Sequence, residues 1–213
     1  MMRRIAYTLL LLLVAFSQVS ARTPMRGWLA TMPDSVMPLL TKNNMLDFID
    51  FYDAKMEAVV TNRMSGKSRM HTLTDDFVQI GYTPSADVAM KLLPVNDTTD
   101  VLCMVTTMRS SADDSRIAFY DAQWQPLDVA GYFVEPCMED FRSTVQGDSA
   151  QWAWSKMDIF FRTYGLCAES TGLKCVFTTP DYLSKEDREE VAPYVRQEPL
   201  TYRWDNGKYM RNE

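Results

Sequence analysis

The sequence predicts an α+β protein, an antiparallel β-sheet meander of roughly seven to nine strands with two main helices packed on it. Three observations carry this reading. Met45, Phe48, Tyr52, Met56 and Val59 recur three or four residues apart, the spacing of one apolar helix face. Between Met70 and Tyr120 the apolar period drops to two, and no helix-length crossover separates the runs, so neighbouring strands must pair antiparallel. Near the C-terminus, Asn206-Gly207 is the strongest two-residue hairpin signal in the chain.

Taken in chain order, the first element is an address. Met1-Met2-Arg3-Arg4 is basic, Ile5 to Phe16 is apolar apart from Thr8, and Val19-Ser20-Ala21 ends the run with small residues. That is the pattern of a secretory signal peptide over residues 1–21, too short for a comfortable membrane span. Residues 22–213 are then expected to form one α+β domain, exported to the periplasm or outside the cell. Pro24, Pro33 and Pro38 predict an irregular lead-in. Thr41 opens the first helix, expected over 41–60, with Asp47, Asp50, Asp53 and Glu57 on its far side; Ser65-Gly66-Lys67-Ser68 breaks it.

Strands follow. Val78, Ile80 and Tyr82 alternate with Phe77, Gln79 and Gly81, and Val88, Met90 and Leu92 with Asp87, Ala89 and Lys91, divided by turns at Pro84-Ser85 and 94–100. Val101 to Met108 is nearly continuous apolar and Thr, as suits a strand covered on both faces. Residues 121–156 carry little periodic signal, with a surface loop expected at Gln146-Gly147-Asp148-Ser149. Met157, Ile159 and Phe161 alternate again, as do Leu173, Cys175 and Phe177, and Ser170-Thr171-Gly172 fits a three-residue hairpin loop between them. That register sets Cys167 opposite Cys175 at about 5.5 Å between Cα atoms, a distance that permits a disulfide without fixing its torsions. Four cysteines allow three pairings, and spacing alone does not choose among them. Ser184 caps the second main helix, with Glu186, Asp187, Glu189 and Glu190 toward its positive end and Pro193 limiting its length. The final hairpin pairs Asp205 with Lys208 and Trp204 with Tyr209.

Composition excludes several functions. The chain carries 28 acidic against 22 basic residues, a net charge of −6, and loss of Arg3 and Arg4 with the signal peptide takes it to −8. Such a chain without a basic stripe is a poor partner for nucleic acid. No second apolar run approaches membrane-spanning length. No cysteine follows the apolar segment closely, which argues against a lipid-modified terminus. No cofactor is implied, and no His-x-x-x-His or Cys-x-x-Cys pair seeds a metal site.

Candidate chemistry is sparse. Gly66-Lys67-Ser68 ends like a phosphate-binding loop, but Thr61 stands where that motif needs glycine. His71 is the only histidine, so a triad or Cys-His pair must use it, with Ser68 or a cysteine as nucleophile; no Gly-x-Ser-x-Gly elbow is present. Asp75-Asp76, Asp113-Asp114 and Glu139-Asp140 are paired carboxylates that would need a sugar cleft to act as glycosidase acids. Asn96-Asp97-Thr98-Thr99-Asp100 offers oxygens but lacks a regular calcium-loop spacing. Trp124, Trp152 and Trp154 are the candidates for contacting a ligand, since exposed amphipathic rings suit glycans and protein partners, although tryptophans more often fill cores.

Met32-Pro33-Asp34-Ser35, Pro38-Leu39-Leu40-Thr41-Lys42-Asn43-Asn44, Thr74-Asp75-Asp76 and Tyr202-Arg203-Trp204-Asp205-Asn206-Gly207-Lys208 together resemble a family of uncharacterised exported proteins of Bacteroidales, the domain of unknown function DUF3256. The resemblance implies a Gram-negative periplasmic or surface setting and transfers no activity or site residues. The expectation is therefore a non-enzymatic binding or envelope-associated module whose partner is an envelope protein or a glycan. A small secreted hydrolase using His71 or an acidic pair is the alternative.

Overall fold

A computed structural model describes residues 22–212, so the signal-peptide reading of residues 1–21 lies outside the described residues. Among the described residues there are two antiparallel sheets and four α-helices. The larger sheet is a seven-stranded meander in chain order: β1 (Val59–Thr61), β2 (Lys67–Leu73), β3 (Phe77–Thr83), β4 (Ala86–Pro94), β5 (Asp100–Met108), β6 (Asp114–Tyr120) and β7 (Pro126–Leu127). The smaller contains β8 (Arg162–Leu166), β9 (Leu173–Phe177), β10 (Leu200–Asp205) and β11 (Lys208–Arg211), ordered β11-β10-β9-β8. The expected meander is thus present, but the strands divide between two sheets because the segment after β7 leaves the first without pairing to β8.

Helices α1 (Met25–Thr31) and α2 (Lys42–Asp53) cover one face of the large sheet. That layer is methionine-rich, with Met25, Met32, Met37 and Met45 packed on Met70, Met90 and Met104 around Phe48 and Trp28. Methionine's flexible thioether fills the irregular space between a twisted sheet and two short helices. On the opposite face, β5 and β6 carry Val101, Cys103, Val105, Ile117 and Phe119 into a second, aromatic core with the small sheet and helices α3 (Asp148–Ser155) and α4 (Lys185–Val191). Strand β5 separates these cores and is buried from Val101 to Val105, as its unbroken apolar run predicted.

Several boundaries differ from the sequence reading. The prolines of the lead-in bar a long helix but leave room for α1, which starts after Pro24 and ends before Pro33 as Met32 turns extended. Helix α2 is shorter than expected. Lys55 adopts a left-handed conformation (φ 57°), and the amides of Lys55 and Met56 close back on the carbonyls of Tyr52 and Phe51 as a Schellman motif. The chain then reverses into β1, so Met56 is exposed and Val59 belongs to a strand. Gly147, expected in a loop, is the N-cap of α3 at φ 114°. The Met157–Phe161 alternation is not a strand: Met157 closes α3 through its amide to the Trp154 carbonyl, and β8 starts only at Arg162.

The cysteine register is also corrected. Leu166 pairs with Leu173, which makes the β8–β9 connection residues 167–172 and sets Tyr164 opposite Cys175. All four cysteines are free thiols, Cys103 and Cys175 buried, and the Cys167–Cys175 bridge is absent. Lys91 reaches from β4 to the Ala168 carbonyl (2.9 Å), which holds that wider loop against the large sheet. The last hairpin matches expectation, with Trp204 opposite Tyr209 and Asp205 opposite Lys208. Asn206 and Gly207 take positive φ of 48° and 78°, as a type I′ turn requires.

Candidate functional site

The small sheet covers only part of the second face of the large one. Strands β2, β3 and β4 are left with an uncovered outer surface, bounded by β8. Alternation on β2 aims Lys67, Arg69 and His71 outward while Ser68, Met70 and Leu73 face the helices. A β-bulge lies between Met70 and Thr72, with His71 the extra residue. Across from Arg69 on β3 stands Gly81, and a Cβ there would come within 2.9 Å of His71 Nε2. The glycine is what lets the imidazole lie across the neighbouring strand.

Three concavities run together over this surface. The first, about 490 Å³, is lined by Glu57, Lys67, Arg69, His71, Asp87 and Arg109. Asp87 and Arg109 also line the second, about 180 Å³, with Ala89, Tyr164, Gly165 and Leu166. Phe77, Gln79, Gly165 and Leu166 are shared with the third, about 770 Å³, which extends past Cys167 and Glu169 to Tyr202. The shared residues make one trough, with the large sheet as floor and β8 along its rim.

Charges in the trough are partly balanced. Arg69 pairs with Glu57, and Arg109 Nε donates to Asp87 Oδ2 at 2.6 Å, which holds the Arg109 guanidinium above its ordinary value. Lys67 Nζ donates to the Thr61 hydroxyl at 2.8 Å. At the far end Cys167 Sγ donates to Glu169 Oε2 (3.1 Å), and that bond holds the carboxyl below its usual range. Beneath the loop, the buried Lys91 ammonium sits between the Ala168 carbonyl and Asp76 Oδ2 (2.8 Å).

The sequence candidates are not brought together. Ser68 is buried on the helix side, donating to the Tyr82 carbonyl at 2.6 Å, while His71 lies on the opposite, exposed face. Among the described residues His71 has no hydrogen-bonded Ser, Cys, Asp or Glu, so no triad is assembled. Gly66-Lys67-Ser68 belongs to the β1–β2 hairpin, whose turn is held by Asn62 Oδ1 accepting from the amides of Met64 and Gly66. Trp124 is core: it is buried against Trp28 at 5.8 Å and donates to Thr31 Oγ1 at 3.4 Å. Trp154 is core as well, stacked on Phe177 at 5.8 Å with its Nε1 donating to the Tyr194 carbonyl. Only Trp152 is exposed, with Lys156 over its ring at 4.0 Å. The three indoles therefore form no common ligand surface.

Several of the carboxylates are committed to partners. Asp76 holds Lys91, Asp113 accepts from the Ser110 amide, and Asp140 pairs with Arg211 at 2.5 Å. Asp53 takes Arg26 at 2.6 Å, and this bond holds its carboxyl below the usual range. In the 96–100 loop the Arg22 guanidinium donates to the Asn96 and Asp97 carbonyls, the oxygens a calcium ion would need. Among the described residues no group of three or more His, Cys, Asp or Glu is arranged to hold a metal ion, and no helix is long and apolar enough to cross a membrane.

The molecule is thus a two-sheet α+β protein with a helix layer on one face and an open trough on the other. The chain belongs to the family of proteins of unknown function DUF3256, whose model matches residues 16–209. It is similar to the structure of a domain of an uncharacterized protein from Porphyromonas gingivalis W83, with 27% sequence identity and a TM-score of 0.80 over 90% of this chain and 99% of that one. No curated protein matches it.

Proposed function

We propose that this protein is an exported, non-enzymatic binding module of the cell envelope that holds an extended ligand in the trough across β2, β3 and β4. The continuity of the three concavities carries the reading: shared residues join them into one elongated site, where an enclosed pocket for a small molecule would be compact. Its lining mixes apolar floor (Phe77, Ala89, Leu166) with charged and amide groups (Gln79, Asp87, Arg109), as suits binding with orientation. Export is supported by the N-terminal sequence pattern. Hydrolysis by His71 is disfavoured, because among the described residues no serine, cysteine, aspartate or glutamate is hydrogen-bonded to its ring.

A photo-cross-linking residue at Gln79 tests this directly. Installed in the exported protein, it is expected to yield adducts with an envelope component, whereas the same residue at Asp47, on the exposed side of α2, yields none. Equal labelling from both positions, or none from Gln79, would overturn the proposal.

A further inference from the structure

We infer that the trough's ligand is an extended polypeptide segment that adds a strand to the free edge of β8 and places one acidic side chain at the Arg69–His71–Arg109 end. This rests on the trough reading and names its ligand class. Among the described residues strand β8 pairs with β9 alone; on its other edge the Arg162 amide donates to Asp114 Oδ1 (3.3 Å), and the backbone from Tyr164 to Leu166 has no strand partner. Along that strand Tyr164, Gly165 and Leu166 border the middle of the trough. Gly165 is exposed, and a Cβ built on it meets nothing within 4 Å. Glycine weakens a strand interior and packs nothing here, so its effect is to leave the main chain bare where another backbone would approach.

The volumes agree. The middle of the trough, about 180 Å³, is the smallest of the three spaces and lies against β8, while larger spaces of about 490 and 770 Å³ open at either end. A single extended chain fits that profile, with backbone pairing along the middle and side chains entering the ends.

Charge selects the side chain. The wide basic end holds Lys67, Arg69 and Arg109 against Glu57 and Asp87, one positive charge in excess, with His71 beside them. Asp113, at the neighbouring middle space, is turned into its own loop, accepting from the Ser110 amide at 3.1 Å. On a chain of net charge −6, a local excess of one positive charge fits a single carboxylate. The guanidiniums keep further N–H groups to offer it beyond those used by Glu57 and Asp87.

Selection of a phage-displayed random dodecapeptide library on the immobilised exported protein tests the inference. Enriched peptides are expected to share one Asp or Glu within a run of strand-forming residues. Synthetic copies should lose about tenfold in affinity when that acid becomes its amide or when Arg109→Gln is introduced. They should lose binding altogether when one pairing backbone amide is N-methylated, a change made on the peptide that leaves the protein's folding untouched. Enrichment without an acidic position, tolerance of N-methylation at every amide, or no enrichment at all would overturn the inference. Binding of an oligogalacturonate that is sensitive to Arg109→Gln, in the absence of peptide binding, would also overturn it while leaving the trough as the binding site. Absence of Gln79 cross-links removes both.

Discussion

At the scale of single residues, Lys91 is the most consequential side chain outside the trough's lining. It is only 1% exposed, the one fully buried charge among the described residues, and it stands in a strand otherwise packed with Met, Leu and Val. Its ammonium survives there because Asp76 and the Ala168 carbonyl replace lost water. The partners are unequal: Asp76 is 49% exposed, whereas Lys91 is sealed in. Removing the partner should therefore harm more than removing the buried charge. Asp76→Asn is expected to lower unfolding free energy by about 1–3 kcal/mol, since it leaves the ammonium half-compensated. Lys91→Met keeps the volume and returns Asp76 to water, and should cost less than about 1.5 kcal/mol. Urea midpoints of the two variants check the order, and a larger loss for Lys91→Met would reverse the argument. Alternation alone placed Lys91 correctly on the face opposite Met90. What sequence could not show is that the 167–172 loop, far away in the chain, closes over it.

Among whole elements, α2 shows how far local signals reach. Its N-terminus is legible because Thr41 is a strong cap, and Thr41 Oγ1 accepts from the Asn44 amide (3.1 Å) while Asn44 Oδ1 accepts from the Thr41 amide (3.0 Å). Thr41→Ala is expected to destabilise by about 1 kcal/mol and Asn44→Ala by a similar amount. Because the two bonds form one reciprocal unit, the double variant should cost less than the two losses together, which thermal or urea unfolding of the four proteins measures. Full additivity would mean that the box does not act as a unit. The C-terminus of the same helix was illegible for a definite reason: its left-handed residue is Lys55, not the glycine or asparagine that marks such a cap. The final hairpin is the converse case, where Asn206-Gly207 matches the turn its backbone needs and every pair falls in the expected register. The β8–β9 hairpin misled because Gly172, which suggested a tight left-handed turn, is not left-handed, and the wider loop shifts Cys167 out of register with Cys175.

At the scale of the molecule, the two faces of the large sheet lead different lives, and this explains both what was legible and how stability should respond to pH. The trough cannot be read from the sequence, since Gln79 and Gly165 meet only through packing of two sheets. The buried residues of the helix-side core are thioethers and aliphatics with Trp28, Phe48 and Trp124, none of which titrates. The other core buries two thiols and three tyrosines: Cys103, Cys175, Tyr164, Tyr202 and Tyr209. Burial disfavours their anions. It pushes the Cys175 thiol from 9.0 up to about 12 and Tyr202 from 10.0 up to about 12, and it raises Cys103, Tyr164 and Tyr209 as well. For Tyr209 desolvation is the largest cause, and the neighbouring Cys103 thiol adds to it. A raised pKa in the folded state means that the folded protein retains protons the unfolded chain releases. The resulting stabilisation is complete below the unfolded thiol value near 9 and is lost as pH climbs toward about 12. Unfolding free energy should accordingly fall above pH 9 by about 1.4 kcal/mol per pH unit for each group titrating in that window. Cys175→Ala removes one such group. Whatever it does to the midpoint at neutral pH, urea unfolding between pH 8 and 11 should show a shallower alkaline decline than the parent, by about that one-group share. An unchanged slope would mean that the Cys175 thiol titrates alike in both states, and that the aromatic core is open to water where the fold has it closed.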